Sequence, residues 1–374
     1  MALKPGGPGI YIEEINSPVR MISAAETSVA AFVGVIGPDF VNTVMPVRSF
    51  EEFQTLVFQQ SVSDAMTASI GLFFLNGGKK ALVVCVPDLS GPHALQLLEH
   101  ADFNLLCLPT TARDPAIPAG LHEAANALCE RKRALYLVDP PSAWDFGGNP
   151  VAAALSASMR FLTAKKNAAL YMPRITSKTV AGALDGVSPS GAIAGVMART
   201  DAAHGVWKAP AGLDAVLAGV EAFGAPLSAS DFADLGSLGM NGLRVLQDGR
   251  LAVWGARTRA GADVLASKWR YVPVRRLALM IETSLERGLQ WTVFEPNGEA
   301  LWASIRGSVD NFLMELWRQG AFRGKKPDEA FFVKCDRTTM NVANIEAANL
   351  VIQIGFAALR PAEFVVLRIF AKAA

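Results

Sequence analysis

Short, unbroken apolar runs, separated by stretches with helical period, constrain this chain more than any other feature. The runs occupy residues 28–36, 81–86, 103–108, 134–138 and 168–172. Most are too short for a helix and lack the polar alternation of a half-exposed strand, so each predicts a strand covered on both faces. Between them, residues 50–58, 64–75, 115–130 and 149–162 carry helical patterning, and Asn76-Gly77-Gly78 supplies a stop after the second. Strand and helix in alternation predict a mainly parallel α/β sheet with right-handed crossovers. Residues 190–199 predict another helix, with Pro189 just before it. The Gly- and Ala-rich residues 201–241 read as short helices and loops. Val245 and Leu251–Trp254 flank Asp248-Gly249, which predicts a hairpin.

The two ends of the chain read differently. Residues 274–287 and 299–319 are its longest amphipathic stretches, and residues 331–334, 349–357 and 363–370 read as strands. At the other end, Pro5, Gly6, Gly7, Pro8 and Gly9 forbid regular structure before the β-prone Ile10-Tyr11-Ile12-Glu13-Glu14-Ile15. A strand this short needs an edge to pair with. On the residues alone, the edge of the chain's own sheet is the simplest partner.

Composition narrows the class of function. The 374 residues suffice for two domains, and 51% are hydrophobic against 18% charged, a low charged fraction for a soluble monomer. Such a chain is expected to hide extra surface against partners. A formal net charge of +1 gives no global field toward nucleic acid or an anionic membrane, and little barrier to self-association. Cys85, Cys107, Cys129 and Cys335 contain no CxxC pair and read as buried thiols. The first residues lack the apolar core of a signal peptide, and no apolar run approaches the ~20 residues of a membrane span. The reading expects folding in the reducing bacterial cytoplasm without membrane insertion.

Residues that could carry chemistry do not assemble into a motif. His93, His100, His122 and His204 form no HExxH, and no metal or other cofactor is expected. Asn76-Gly77-Gly78-Lys79-Lys80 precedes Ala81 where a phosphate loop needs Ser or Thr, and it enters a strand instead of opening a helix. Asp88, His93 or His122, and Ser190 occur in the order of one serine-protease triad, but their surroundings match no nucleophile or histidine signature. The basic runs Arg131-Lys132-Arg133, Lys165-Lys166 and Lys325-Lys326 are short and isolated, without the interleaved aromatics of a nucleic-acid stripe.

Several longer motifs carry a resemblance. They are Pro8-Gly9-Ile10-Tyr11-Ile12-Glu13-Glu14, Pro189-Ser190-Gly191-Ala192-Ile193-Ala194-Gly195-Val196 through Arg199-Thr200-Asp201, and Val253-Trp254-Gly255-Ala256-Arg257-Thr258. Trp269-Arg270-Tyr271-Val272-Pro273-Val274-Arg275-Arg276, Gln290-Trp291-Thr292-Val293-Phe294-Glu295-Pro296-Asn297 and Cys335-Asp336-Arg337-Thr338-Thr339-Met340 complete the set. Together they resemble the contractile tail sheath proteins of phages, R-type pyocins and extracellular injection systems.

The resemblance implies an α/β fold. A subtilisin-like but non-catalytic outer domain (residues 21–255) would be inserted in an inner, tube-facing α+β domain (residues 256–358) built from both chain ends. β-arms at residues 1–20 and 359–374 would leave the subunit and add strands to neighbours, through Ile10, Tyr11, Ile12 and Ile15 at one end and Phe364, Val366 and Ile369 at the other. The helix at residues 299–319 would attach to the tube through Arg306, Asp310, Glu315 and Arg318. The implied function is structural and not enzymatic: hexameric rings of the chain stack helically around a rigid inner tube and contract to drive it through a target envelope. The implied partners are the chain itself, the tube protein, and baseplate and terminal cap proteins, with no nucleic acid bound directly, in a phage tail or phage-tail-like particle. Two alternatives stand beside it: a serine-hydrolase-like enzyme on the α/β domain, and a baseplate-proximal sheath paralogue.

Overall fold

In a computed structural model, the protein is described over residues 20–372 apart from 59, 142–143, 145–162, 180–181, 342, 345–346, 348 and 360–363. The expected strand at residues 10–15 and helix at 149–162 lie outside the described residues. The described chain divides into two compact units. The larger comprises Ala24–Thr283 with residues 358–359; the smaller comprises Ser284–Ala357 with residues 20–23 and the last strand. The division falls inside one helix, between Thr283 and Ser284, whereas the sequence reading set its limit at residues 255–256.

The larger unit is built on an eight-stranded sheet. Its strands are β1 (Ala30–Gly34), β2 (Thr43–Val47), β3 (Ala81–Cys85), β4 (Leu105–Cys107), β5 (Leu135–Val138), β6 (Ala168–Met172), β10 (Asn241–Val245) and β11 (Leu251–Trp254). They lie in the order β11-β10-β6-β5-β4-β1-β3-β2. The six inner strands run parallel, and β2 and β11 close the edges antiparallel. Every residue of β1, β3, β4, β5 and β6 is buried, which is why these strands read as unbroken apolar runs. Along β1, Phe32 enters one core layer while Ala31 and Val33 enter the other, the period-two alternation of a strand.

Helices cover both faces: α1 (Phe50–Leu56), α2 (Asp64–Leu75), α3 (Ala119–Arg131), α4 (Ser190–His204) and α5 (Ala229–Ser237). The first two start where Ser49 and Ser63 cap them, each side chain accepting a backbone N–H. Helix α3 begins four residues later than expected because Pro118 holds extended backbone at its N-cap. Helix α4 runs five residues beyond the expected end and stops at Gly205, whose φ of +88° suits glycine. Gly191 and Gly195 face α2 across a close approach. A Cβ on Gly191 would strike the carbonyl of Ser69, and one on Gly195 the carbonyl of Phe73. The spacing of the glycine motif is therefore a packing requirement.

Two features escaped the sequence reading. Strand β2 contains Pro46, which only an edge strand tolerates, and its half-exposed residues break the apolar pattern. A separate antiparallel sheet of β7 (Ile175–Thr179), β8 (Gly182–Val187) and β9 (Val220–Phe223), in the order β8-β7-β9, has a central strand of mostly polar residues and flanking strands interrupted by Asp185 and Glu221. Helix α6 (Val272–Gly288) begins in the larger unit and ends in the smaller.

The smaller unit contains α7 (Glu299–Arg318), α8 (Pro327–Ala330), and a three-stranded antiparallel sheet of β12 (Phe331–Lys334), β13 (Asn349–Ala357) and β14 (Phe364–Lys372), in that order. The buried rings of Phe322, Phe331 and Phe356 gather at centroid distances of 5.4 and 6.0 Å. Phe332 lies opposite Gly355, where a Cβ would run into its ring.

Candidate functional site

Helix α7 is amphipathic. Leu301, Trp302, Ile305, Val309, Phe312, Leu313 and Leu316 are buried at intervals of three and four, fixing which face is inward. Trp317 is half-buried; its indole N–H donates to the Gly324 carbonyl at 3.1 Å. Of the four charged candidates, Asp310, Glu315 and Arg318 are exposed. Arg306 is half-buried and donates from its guanidinium to the Cys335 carbonyl, so part of its donor set serves the fold. The Asp310 carboxyl is held above the usual range by partial desolvation. Glu315 accepts from Gln319 at 3.0 Å and lies 4.0 Å from Arg318, a loose surface pair.

The terminal candidates are placed as follows. Ile10, Tyr11, Ile12 and Ile15 lie outside the described residues. Phe364, Val366 and Ile369 lie on β14, opposite Ala357, Gly355 and Ile352 of β13 in the same chain. A lone chain thus closes the β13–β14 ladder on itself over nine residue pairs. Among the described residues the sheet's edges are β12 and β14, and an edge strand offers backbone groups to a further strand.

Ser190 sits in a buried polar cluster beyond the carboxyl ends of β4 and β5. Its backbone N–H donates to Asp139 Oδ1 at 2.9 Å and its hydroxyl to Oδ2 at 2.7 Å. Burial lifts the Asp139 carboxyl to about 6, partly offset by Arg174 and by the Ser190 bonds. Arg174 donates to the carbonyls of Pro140, Thr110 and Gly186 and to the Thr110 hydroxyl at 2.8–3.1 Å. The triad candidates are elsewhere occupied. Asp88 and His93 form an exposed pair at 3.2 Å, and buried His122 shares a 2.8 Å bond with the Tyr136 hydroxyl, its pKa lowered to about 4 by burial. A nucleophilic serine needs a base and access to substrate. Ser190 is 1% exposed, and the hollow beside Asp139 is about 30 Å³, far below the ~300 Å³ lower end of ligand pockets. The cluster ties α4 to the sheet.

The other long motifs have the same internal use. Arg276 grips Asp201 with two nitrogens, at 2.8 and 2.6 Å, and donates to the Thr27 carbonyl at 2.8 Å, while the Thr27 hydroxyl donates to Asp201 at 2.6 Å. Arg275 meets Glu282 at 3.1 Å and Asn167 at 2.9 Å, under the ring of Trp269 at 4.6 Å. Asn241 accepts from the Arg257 backbone N–H at 2.6 Å and donates to the carbonyls of Arg257 and Leu170. These motifs were visible in the sequence as separate runs, but not the pairings between them: Arg276 meets Asp201 across 75 positions and Arg275 meets Asn167 across 108, whereas Arg257 and Asn241 are 16 apart. All four cysteines are buried free thiols. Among the described residues, no group of His, Cys, Asp or Glu could hold a metal ion. No described helix is long and apolar enough to cross a membrane.

Comparison with known proteins agrees with this construction. Residues 266–372 match the family model of the phage tail sheath C-terminal domain. A chain from the helical sheath of the anti-feeding prophage in its contracted state is 32% identical, with 98% of this chain and 99% of that one covered and a TM-score of 0.75. A chain from the six-fold symmetrised baseplate of the same system matches with the same identity, coverage and TM-score. A chain from the sheath complex of an extracellular contractile injection system, PVC, in the contracted state is 28% identical with 98% coverage of both chains and a TM-score of 0.78. No curated protein matches. A mixed α/β chain of these dimensions, alike from end to end at 32% identity and matching the sheath profile, belongs to the contractile tail sheath family.

Proposed function

We propose that this chain is the structural subunit of a contractile sheath, stacking as hexameric rings in a helix around a rigid tube and shortening to drive that tube through an envelope. The observation that carries the reading is the 32% identity over 98% of the chain to a chain of a helical sheath in the contracted state. In this reading the larger unit is an outer α/β insertion in an inner unit built from both chain ends. Arms at residues 1–20 and 359–374 link neighbours by strand addition, with Ile10, Tyr11, Ile12 and Ile15 on one and Phe364, Val366 and Ile369 on the other. Backbone hydrogen bonds supply affinity and alternating side chains supply specificity in such joints. The β13–β14 register supports it, because the same ladder formed between two chains needs no new chemistry.

Attachment to the tube falls to Asp310, Glu315, Arg318 and the free donors of Arg306 on α7. Loosely paired surface charges suit a contact that must hold register and then release. Contraction needs a downhill path. At ~25 cal/mol per Å², about 200 Å² of further apolar burial per subunit contributes on the order of 5 kcal/mol. Summed over many subunits this drives the stroke without a nucleotide. The Ser190–Asp139 pair belongs to the fold in this reading, and the chain is not an enzyme. Baseplate and cap proteins bound the stack, and assembly takes place in the cytoplasm.

The test is negative-stain electron microscopy of the purified chain beside one lacking residues 1–16. Striated hollow cylinders from the first and dispersed subunits from the second are expected; dispersed subunits from both would overturn the reading. The equal match to a baseplate chain supports a second role, a single ring at the baseplate. Subunit count per particle separates one ring from a stack.

A further inference from the structure

The turn between α6 and α7 carries an apolar residue in a backbone state that apolar residues avoid. Phe294 has φ +71° and is 80% exposed, beside Val293 at 39%. A bulky side chain with positive φ is an outlier that persists only when its surroundings hold it there. Those surroundings are tied by hydrogen bonds. The buried Thr292 hydroxyl donates to the Leu289 carbonyl at 2.8 Å, the Glu295 N–H to the Thr292 carbonyl at 3.2 Å, and the Trp302 indole N–H to Asn297 Oδ1 at 2.8 Å. On the same unit, Arg20 stacks on Trp291 at 4.5 Å and Ile22 meets Gly288, which brings Met21, 96% exposed, to this end of α6. The fold thus holds an apolar knob in water.

The larger unit carries a matching socket. A hollow of about 580 Å³ lies between α1, α2 and the β7–β8 hairpin, with Phe50, Leu72, Phe74, Leu75 and Leu184 in its lining beside polar residues that include Asp64 and Lys178. Leu75 at its rim is 60% exposed.

We propose that the Val293–Phe294 knob of one copy seats in the Phe50–Leu72–Leu75 hollow of a neighbouring copy, as an intersubunit contact of the sheath. The inference rests on the self-assembly proposed above. A convex apolar patch and a separate concave one on one chain are not self-complementary. Their union is head-to-tail, the class of contact that closes into rings or extends into helices. An aromatic anchor in an apolar pocket is also the arrangement in which one residue carries a large share of an interface.

The experiment measures the critical concentration for cylinder formation by pelleting, with wild type, Phe294→Gly, Leu75→Lys and the double variant. Glycine suits φ +71°, so Phe294→Gly should leave the unfolding midpoint unchanged or raise it by about 2–4 °C. It should nonetheless raise the critical concentration at least about tenfold. Leu75→Lys should do the same, and the double variant should be no worse than either single, because both remove one contact. Cylinders from Phe294→Gly at the wild-type concentration would overturn the proposal. So would a lowered unfolding midpoint for that variant, which would make Phe294 a folding residue. Single losses that multiply in the double variant would place the socket elsewhere and overturn the pairing. If wild type itself forms no cylinders, the assembly reading fails first and this contact falls with it.

Discussion

Arg276 and Arg318 each lie beside a carboxylate, one in each unit, and the two pairs differ in every physical respect. Arg276 holds Asp201 at 2.6 Å with side chains 3% and 7% exposed; Arg318 stands 4.0 Å from Glu315 with both more than half exposed. The first pair has lost its water and depends on its partner, the Thr27 hydroxyl and carbonyl included. The second remains hydrated and is free to exchange one partner for another. The contrast extends across the units. The larger turns its charged motif residues inward against each other, while the smaller keeps charges on α7 and a sheet with open edges. A protein that assembles, holds and slides needs both kinds of region, one that does not change and one whose pairings can be traded.

The contrast can be broken at its strongest point. Arg276→Ala leaves Asp201 buried without its cation and should destabilise the larger unit by about 3–5 kcal/mol in urea denaturation. A loss below about 1 kcal/mol would put this pair in the same class as Arg318–Glu315. Next comes pH. The Asp139 carboxyl rises from 3.8 to about 6 through burial, so over that interval the folded chain keeps a proton that the unfolded chain has released. Its ionisation penalty is absent below about pH 4 and complete above about pH 6, which makes this group favour the fold as pH falls. Asp139→Asn should remove a slope of about 2–3 kcal/mol between pH 4 and 7 in urea midpoints. Superimposable pH profiles for wild type and variant would count against it.

Smaller effects sharpen the comparison. Gly195→Ala places a methyl against the Phe73 carbonyl, and backbone cannot step aside as a side chain can. A loss of about 1–2 kcal/mol is expected despite alanine's better helix propensity, read as a lower thermal midpoint. Arg318→Glu should change stability by less than about 0.5 kcal/mol. If α7 faces the tube, the same variant weakens co-sedimentation of cylinders with tube; unchanged co-sedimentation would remove Arg318 from the attachment set.

Much of the larger unit's fold was legible in the sequence because burial on both faces leaves an unbroken apolar string. Residues 81–86 and 168–172 were readable for that reason. The β7–β8–β9 sheet was not, because Thr176-Ser177-Lys178-Thr179 offers no apolar run for such a test to detect. Strands β13 and β14 were also readable as strands, but their partners were not. Main-chain hydrogen bonding carries no residue code, so nothing in Phe364–Lys372 distinguishes a ladder within one chain from a ladder between two. The charges of α7 were read correctly as lying on that helix, yet Arg306's tie to Cys335 depends on a carbonyl 29 positions away. The clamp of Arg276 on Asp201 was visible only as two separate motifs, since pairing over 75 positions leaves no periodic trace.

The most direct test of the account is a helical reconstruction of the assembled protein at a resolution that traces the backbone. The account predicts hollow cylinders in which the three-stranded sheet of each smaller unit gains a terminal strand from a neighbouring copy, while the eight-stranded sheet keeps its order. Cylinders in which every strand of that smaller sheet belongs to a single chain, with no chain crossing between neighbours, would contradict it.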